Sequence, residues 1–143
     1  MSNFDTVTSI TDNIQSILKR EGIHFLKRTY EDGGAIPASL FPFGEIRYLG
    51  ETFEEATGER PGYAEAEFRI SVAFSGGDPS EVMREAQRWV HMIRGAITVN
   101  ALNSGGLALP RYVSRVRTLG AEFESKEKFS RVNYKMAVRY REA

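Results

Sequence analysis

Val7, Ile10, Ile14, Ile17 and Leu18 recur at spacings of three and four across residues 6–21, the stripe that one helical face turns toward a core. Asp5 or Thr6 stands where a helix cap is expected, Lys19 and Arg20 lie where the helix dipole favours cations, and Gly22 is placed to end the element. Residues 23–30, from Ile23 to Tyr30, are rich in β-branched and aromatic side chains without helical spacing, which predicts a first strand. Asp32, Gly33, Gly34 and Pro37 then mark an irregular loop. Phe43 to about Phe53 predicts a second strand, closed by the Gly- and Pro-containing connection 54–62.

The clearest alternation follows. Ala64, Ala66, Phe68, Ile70, Val72 and Phe74 are apolar, while Glu65, Glu67, Arg69 and Ser71 interleave with them, so this third strand has one face for a core and one for water. That pattern suits an antiparallel sheet better than a doubly covered parallel one. Asp78, Pro79 and Glu81 announce a second helix, with Asp78 as cap, Pro79 in the first turn and Glu81 able to reach back. Val82, Ala86, Trp89, Val90, Ile93 and Ile97 continue its buried stripe. After Asn103, Ser104, Gly105, Gly106 and Pro110, residues 112–124 read as extended, 125–128 as a turn, and 129–141 as a last strand. In that strand Val132, Tyr134, Met136, Val138 and Tyr140 share one face; Arg131, Asn133, Lys135, Arg139 and Arg141 share the other, which Ala137 interrupts.

The expected architecture is α+β: a two-layer sandwich, with two helices packed on one face of a mainly antiparallel sheet of about five strands. The run from the third strand through the second helix to the fourth is the one place where a parallel crossover is expected. At 143 residues the chain reads as a single domain, 1–143. Cysteine is absent, which removes disulfides, thiolate nucleophiles and thiolate-ligated metals, and is compatible with a reducing compartment. The first residues show no basic run followed by an apolar stretch, and nothing approaches the ~18 apolar residues of a membrane span, so a soluble, unexported protein is expected.

Candidate chemistry is sparse. His24 and His91 are the two histidines, and neither belongs to a paired helical motif of the kind that binds zinc. There is no Gly-x-Ser-x-Gly elbow, and the glycine pairs at 33–34 and 105–106 lack the lysine and hydroxyl residue of a phosphate loop. The acidic run Glu51, Glu54, Glu55 and Glu59 lacks the alternating ligands of a calcium loop. No catalytic residue, cofactor or metal is therefore expected, and assembly is favoured over an enzymatic or small-ligand-binding domain.

Charge placement is more informative. Residues 51–67 hold six glutamates against Arg60, whereas residues 111–141 hold nine Lys or Arg against three glutamates, in a chain whose formal net charge is +0. Two solvated sheet faces would account for this, since exposed pairs contribute only ~0–1 kcal/mol. Head-to-tail association accounts for it as well: an acidic hairpin (Glu51, Glu54, Glu55, with Arg60) reaching the basic outer strand of a neighbour (Arg131, Lys135, Arg139) is a heterologous contact, and such contacts close into rings when the rotation per subunit permits. The basic strand also raises nucleic acid, but Glu122 stands where the RNA-recognition pattern is apolar or aromatic, and the tyrosines of the last strand lie on the apolar side. Nonspecific contact with DNA remains open through the basic stripe.

The order of elements resembles a known family. The N-terminal amphipathic helix, the Leu40-Phe41-Pro42-Phe43 run, the Gly50-Glu51 acidic hairpin, the alternation from Tyr63 to Phe74, the Asp78-capped helix and the paired C-terminal strands are similar to tailed-phage tail terminator proteins, of which that of phage lambda is the familiar example. The resemblance spans nearly the full chain and rests on element order, lengths and hydrophobic pattern. It implies a ring, commonly hexameric, on the head-proximal end of the tail tube of a virion, assembled in the bacterial host cytoplasm. It further implies contact with tail tube protein and with the head-tail connector, and DNA passing through the lumen; a neighbouring connector protein is the alternative. Neither cofactor nor membrane is implied.

Overall fold

Strict alternation in residues 63–74 and again in 130–140 sets the middle of the fold, because two such strands can hide their apolar sides only by sharing one core. The structure, a computed structural model, describes residues 3–25, 38–54, 62–104, 112–126 and 129–142. Its elements are α1 (Asn3–Arg20), β1 (His24–Phe25), a 3-10 turn (Ala38–Leu40), β2 (Phe43–Phe53), β3 (Tyr63–Phe74), α2 (Pro79–Ala96), α3 (Val99–Asn103), β4 (Val113–Ser125) and β5 (Ser130–Arg141). The five strands form one sheet in the order β1-β2-β3-β5-β4.

β3 and β5 pair antiparallel without a register break, from Tyr63 opposite Arg141 to Phe74 opposite Ser130. Every inward position of β3 from Ala64 to Phe74 is buried, as are Val132, Tyr134, Met136, Val138 and Tyr140 facing them across the ladder. Ile10, Ile14 and Leu18 of α1 and Trp89 and Ile93 of α2 complete the same cluster, so the helices cover one face of the sheet. The expected α+β class and the mainly antiparallel sheet are what the structure shows.

Helix ends follow their local chemistry. The Asp78 carboxylate accepts from the Glu81 amide at 3.0 Å, with Pro79 in the first turn. Gly22, at φ 88°, ends α1 while the Ile23 amide reaches back to the Leu18 carbonyl at 3.3 Å.

Four expectations are corrected or cut short. First, α1 begins at Asn3, so Asp5 and Thr6 lie inside it rather than capping it; Thr6 is fully buried, and the Asn3 amide donates to Glu142 at 2.9 Å, tying the first turn to the far end of the chain. Second, the first strand is described only as His24–Phe25, and residues 26–30 lie outside the described residues. Third, the parallel hydrogen-bonded pair is β1 with β2. The strands joined through α2 do run the same way, but β5 is inserted between them and makes antiparallel ladders with both. Fourth, α3 was not expected: Thr98 caps it by accepting from the Ala101 amide at 3.1 Å, and Leu102 is buried. No helix among the described residues is long and apolar enough to cross a membrane.

Burial makes a direct contrast available. Phe68→Ala, at a fully buried inward position of β3, should cost ~3–5 kcal/mol in chemical denaturation. Phe123→Ala, at an inward-facing but 47% exposed position of β4, should change stability by only about 0.5 kcal/mol.

Candidate functional site

The helix-free face of the sheet is built by the opposite parity, and register fixes which side chains are neighbours. Reading across β2, β3, β5 and β4, one row is Thr52, Glu65, Arg139, Arg115; the next is Gly50, Glu67, Ala137, Arg117; then Arg47, Arg69, Lys135, Gly120; then Glu45, Ser71, Asn133, Glu122; and last Phe43, Ala73, Arg131, Glu124. Two shifts make these rows: one between Tyr48 and Gly50 in β2, the other between Thr118 and Gly120 in β4. Each puts a glycine in the positive-φ region, at 133° and 153°, where a side chain would be strained.

Most of the face is neutralised internally. Arg115 and Arg117 of β4 reach across β5 to the Glu65 carboxylate of β3, at 3.1 and 2.6 Å. Arg115 starts from the row of Arg139 and Arg117 from the row of Ala137, which is completely covered although it lies on the polar face. The interruption in the last strand's alternation is thereby explained, since a longer side chain at 137 would stand in the path of Arg117. Burial would raise the Glu65 carboxyl, but the hydrogen bonds from Arg117 and Arg115 outweigh it and hold the group below its usual range. Arg131 bonds Glu124 at 2.7 Å, and that hydrogen bond is the main reason the Glu124 carboxyl is also held low. Arg47 pairs with Glu45 at 3.0 Å.

Charge placement in the sequence singled out Glu51, Glu54, Arg131, Lys135 and Arg139, and the structure gives them different tasks; Glu55 and Arg60 lie outside the described residues. Glu54 and Arg139, assigned to opposite halves of an expected contact, meet within the chain at 3.0 Å, while Arg139 also stacks 3.8 Å above the Tyr63 ring. Glu51 lies past the β2 shift, so it turns to the helix side and accepts from the hydroxyls of Tyr48 at 2.7 Å and Tyr140 at 2.6 Å. Burial, then the hydrogen bond to Glu51 and its charge, push Tyr48 up from 10.0 to about 12, and burial with the same carboxylate pushes Tyr140 up as well. Lys135 stays exposed, with no ion pair among the described residues.

Arg69 is the residue that sequence reasoning passed over. It sits at the centre of the face, between Arg47 and Lys135, and its Nε is buried with no hydrogen-bond partner among the described residues. A buried donor left unmatched costs ~1–3 kcal/mol, more when charged. Like charges directly across a sheet also repel. The signal was present in the alternation, because Arg69 and Lys135 both occupy outward positions, but only the register makes them adjacent.

The second notable surface is β4 itself. Its 13 residues form an edge of the sheet, and Val113 is its one buried position among the described residues. On the helix side, Phe123 is 47% exposed; Leu119, at the shift, is 36% exposed and lines a depression on the polar face with Arg69 and Gly120. Among the described residues there are also depressions of about 480 Å³ near Arg94 and Val116 and of about 470 Å³ near Lys19 and His24. Among the described residues no group of three or more His, Asp or Glu is placed to hold a metal ion.

No family model matches the chain, and no curated protein matches it. Its fold is similar to that of a chain in the solved structure of the virion of a native gene transfer agent particle, with a TM-score of 0.55 and 12% sequence identity over 92% of this chain and 91% of that one.

Two measurements test the geometry. Ala137→Leu should destabilise the protein by ~1–3 kcal/mol and return the Glu65 carboxyl toward its ordinary value in an NMR titration, because the crossing arginines are displaced. For Tyr48 the folded value lies above the unfolded one, so the stabilisation from its protonated hydroxyl is whole below pH 10.0 and is lost as pH rises through about 12. Glu51→Gln should shift the Tyr48 ionisation, followed by ultraviolet absorbance against a Tyr48→Phe control, back toward 10.0.

Proposed function

We propose that this chain is a structural protein of a phage or phage-like particle, one that closes into a ring on the end of the tail tube, stops tube growth and presents the surface to which the head connector joins. The observation that carries this reading is the β4 edge: 13 residues of sheet edge, almost wholly exposed among the described residues, with Phe123 standing out on the helix side and Leu119 exposed at the shift. Soluble proteins blunt or cover such edges, and a long edge with exposed apolar side chains is a surface made to be covered by another chain. Two further findings support the reading. The fold is shared, over nine-tenths of both chains, with a chain of a virion, and the order of elements resembles the tail terminators.

The physics of capping needs asymmetry and no turnover. One ring face imitates the next layer of tube subunits and binds the last layer; the other lacks the surface that a further layer needs, so growth ends there. A heterologous contact between copies, which closes when the rotation per subunit permits, supplies the ring. In this reading the ring is a hexamer with DNA passing through its lumen without sequence recognition, and its partners are tail tube protein on one side and connector on the other. Of the charges that sequence placement assigned to such a contact, Lys135 is the one that faces a neighbour in this reading, because Glu51, Glu54, Arg131 and Arg139 are engaged within the chain. Neither a cofactor nor a catalytic residue enters.

Purified protein should form a closed ring by light scattering and negative-stain microscopy, and its addition to polymerising tail tube protein should give tubes of defined length. Phe123→Lys should weaken ring formation while leaving the monomer folded by circular dichroism. A chain that stays monomeric at all concentrations and leaves tube length unchanged is not a terminator.

A further inference from the structure

Resting on the reading of the chain as a self-assembling subunit, we infer that Arg47, Arg69 and Lys135 form a seat for a carboxylate presented by a second copy, from Glu55 or Glu59 of its glutamate-rich connection. The three side chains are register neighbours on adjacent strands. Strands lie ~4.8 Å apart, so the row spans roughly 10 Å, the width of one or two carboxylates.

Within the monomer this row is unfinished. Arg47 has Glu45, but Lys135 has no ion pair among the described residues, and the Arg69 Nε is buried without an acceptor. Elsewhere on the face, Arg115, Arg117, Arg131 and Arg139 each meet a glutamate. Cations left facing one another at the centre of the face mark the place where an anion from outside completes the pairing, through Lys135 and the outer part of Arg69 rather than its covered Nε. Beside the row is a depression of about 360 Å³ lined by Arg69, Lys135, Asn133, Gly120, Glu122 and Glu124. Gly120 carries no side chain and leaves its floor open, with nothing within 4 Å of where a Cβ would stand.

The flanking charges select the occupant. Glu67 lies in the row on one side, Glu45 and Glu122 in the row on the other. A continuous polyanion such as DNA would cross these acids, whereas a single carboxylate on a loop fits between them. This chain carries the complementary element in Glu55 and Glu59, which follow the Glu54 that Arg139 already holds. Donor and seat are different patches, so the contact is head-to-tail, as a ring requires.

The test is a charge exchange read by sedimentation velocity of the full chain over a range of concentrations. Lys135→Glu, exposed and free of internal partners, should raise the self-dissociation constant about tenfold or more, as should Arg69→Gln, with circular dichroism and thermal midpoint close to those of the unaltered protein for Lys135→Glu. A chain carrying Glu55→Lys and Glu59→Lys should be equally impaired alone. Mixing it with Lys135→Glu should restore assembly, since each copy then offers the charge that its neighbour lacks. Unaltered self-association of Lys135→Glu, or a mixture that stays dissociated, overturns the inference while leaving the ring reading intact. If the unaltered chain never associates, both fall. If Lys135→Glu associates normally but loses salt-dependent binding of a single-stranded oligonucleotide, the row holds phosphate and the carboxylate seat is wrong.

Discussion

The β3–β5 ladder is the constraint on which the rest of this molecule depends. Every residue from Tyr63 to Phe74 has a partner in β5, and all the inward members of both strands are buried under the helices. A one-residue slip would turn each of those side chains to water and bring Glu65, Glu67 and Arg69 into the core. With that register held, β2 and β4 take their places as flanks, and the shifts at Gly50 and Gly120 then set the charged rows of the outer face.

A sheet covered on one side has to manage its other side without a second layer. Here that is done with charge bridges rather than with helices. The clearest device is the reach of Arg115 and Arg117 across β5 to Glu65, which ties β4 to β3 across the strand between them. It needs a small residue in β5 and an acid two strands away. Exposed pairs of this kind contribute little individually, but their geometry fixes where positive charge is left over. Among the described residues the cations left without an ion pair include Arg69 and Lys135, next to a depression and the edge strand β4.

Much of this was legible beforehand. The stripe of α1, the cap at Asp78, the alternation of β3 and β5 and the buried place of Trp89 are local or periodic properties, readable from spacing alone. The start of α1 was misjudged because its first turn is anchored by Glu142, 139 residues away, and no local cap signals that. α3 escaped notice because a five-residue helix has too little periodicity to register. The parallel pairing of β1 with β2 was missed because the sequence shows strand propensity but not which strands become neighbours.

By itself the sequence determined the class of fold, the faces of the two long helices and the inward side of each central strand, since these depend on periods of 3.6 and 2.0 that any chain displays in its own order. Only the tertiary structure decided which charges meet. Glu54 and Arg139, assigned from sequence to different partners, lie 3.0 Å apart, and Glu51 turns inward to two tyrosines because Gly50 shifts the strand by a residue. The electrostatic character of a face depends on pairings between residues as far apart as 85 positions in the chain, and register, not spacing along the sequence, sets them.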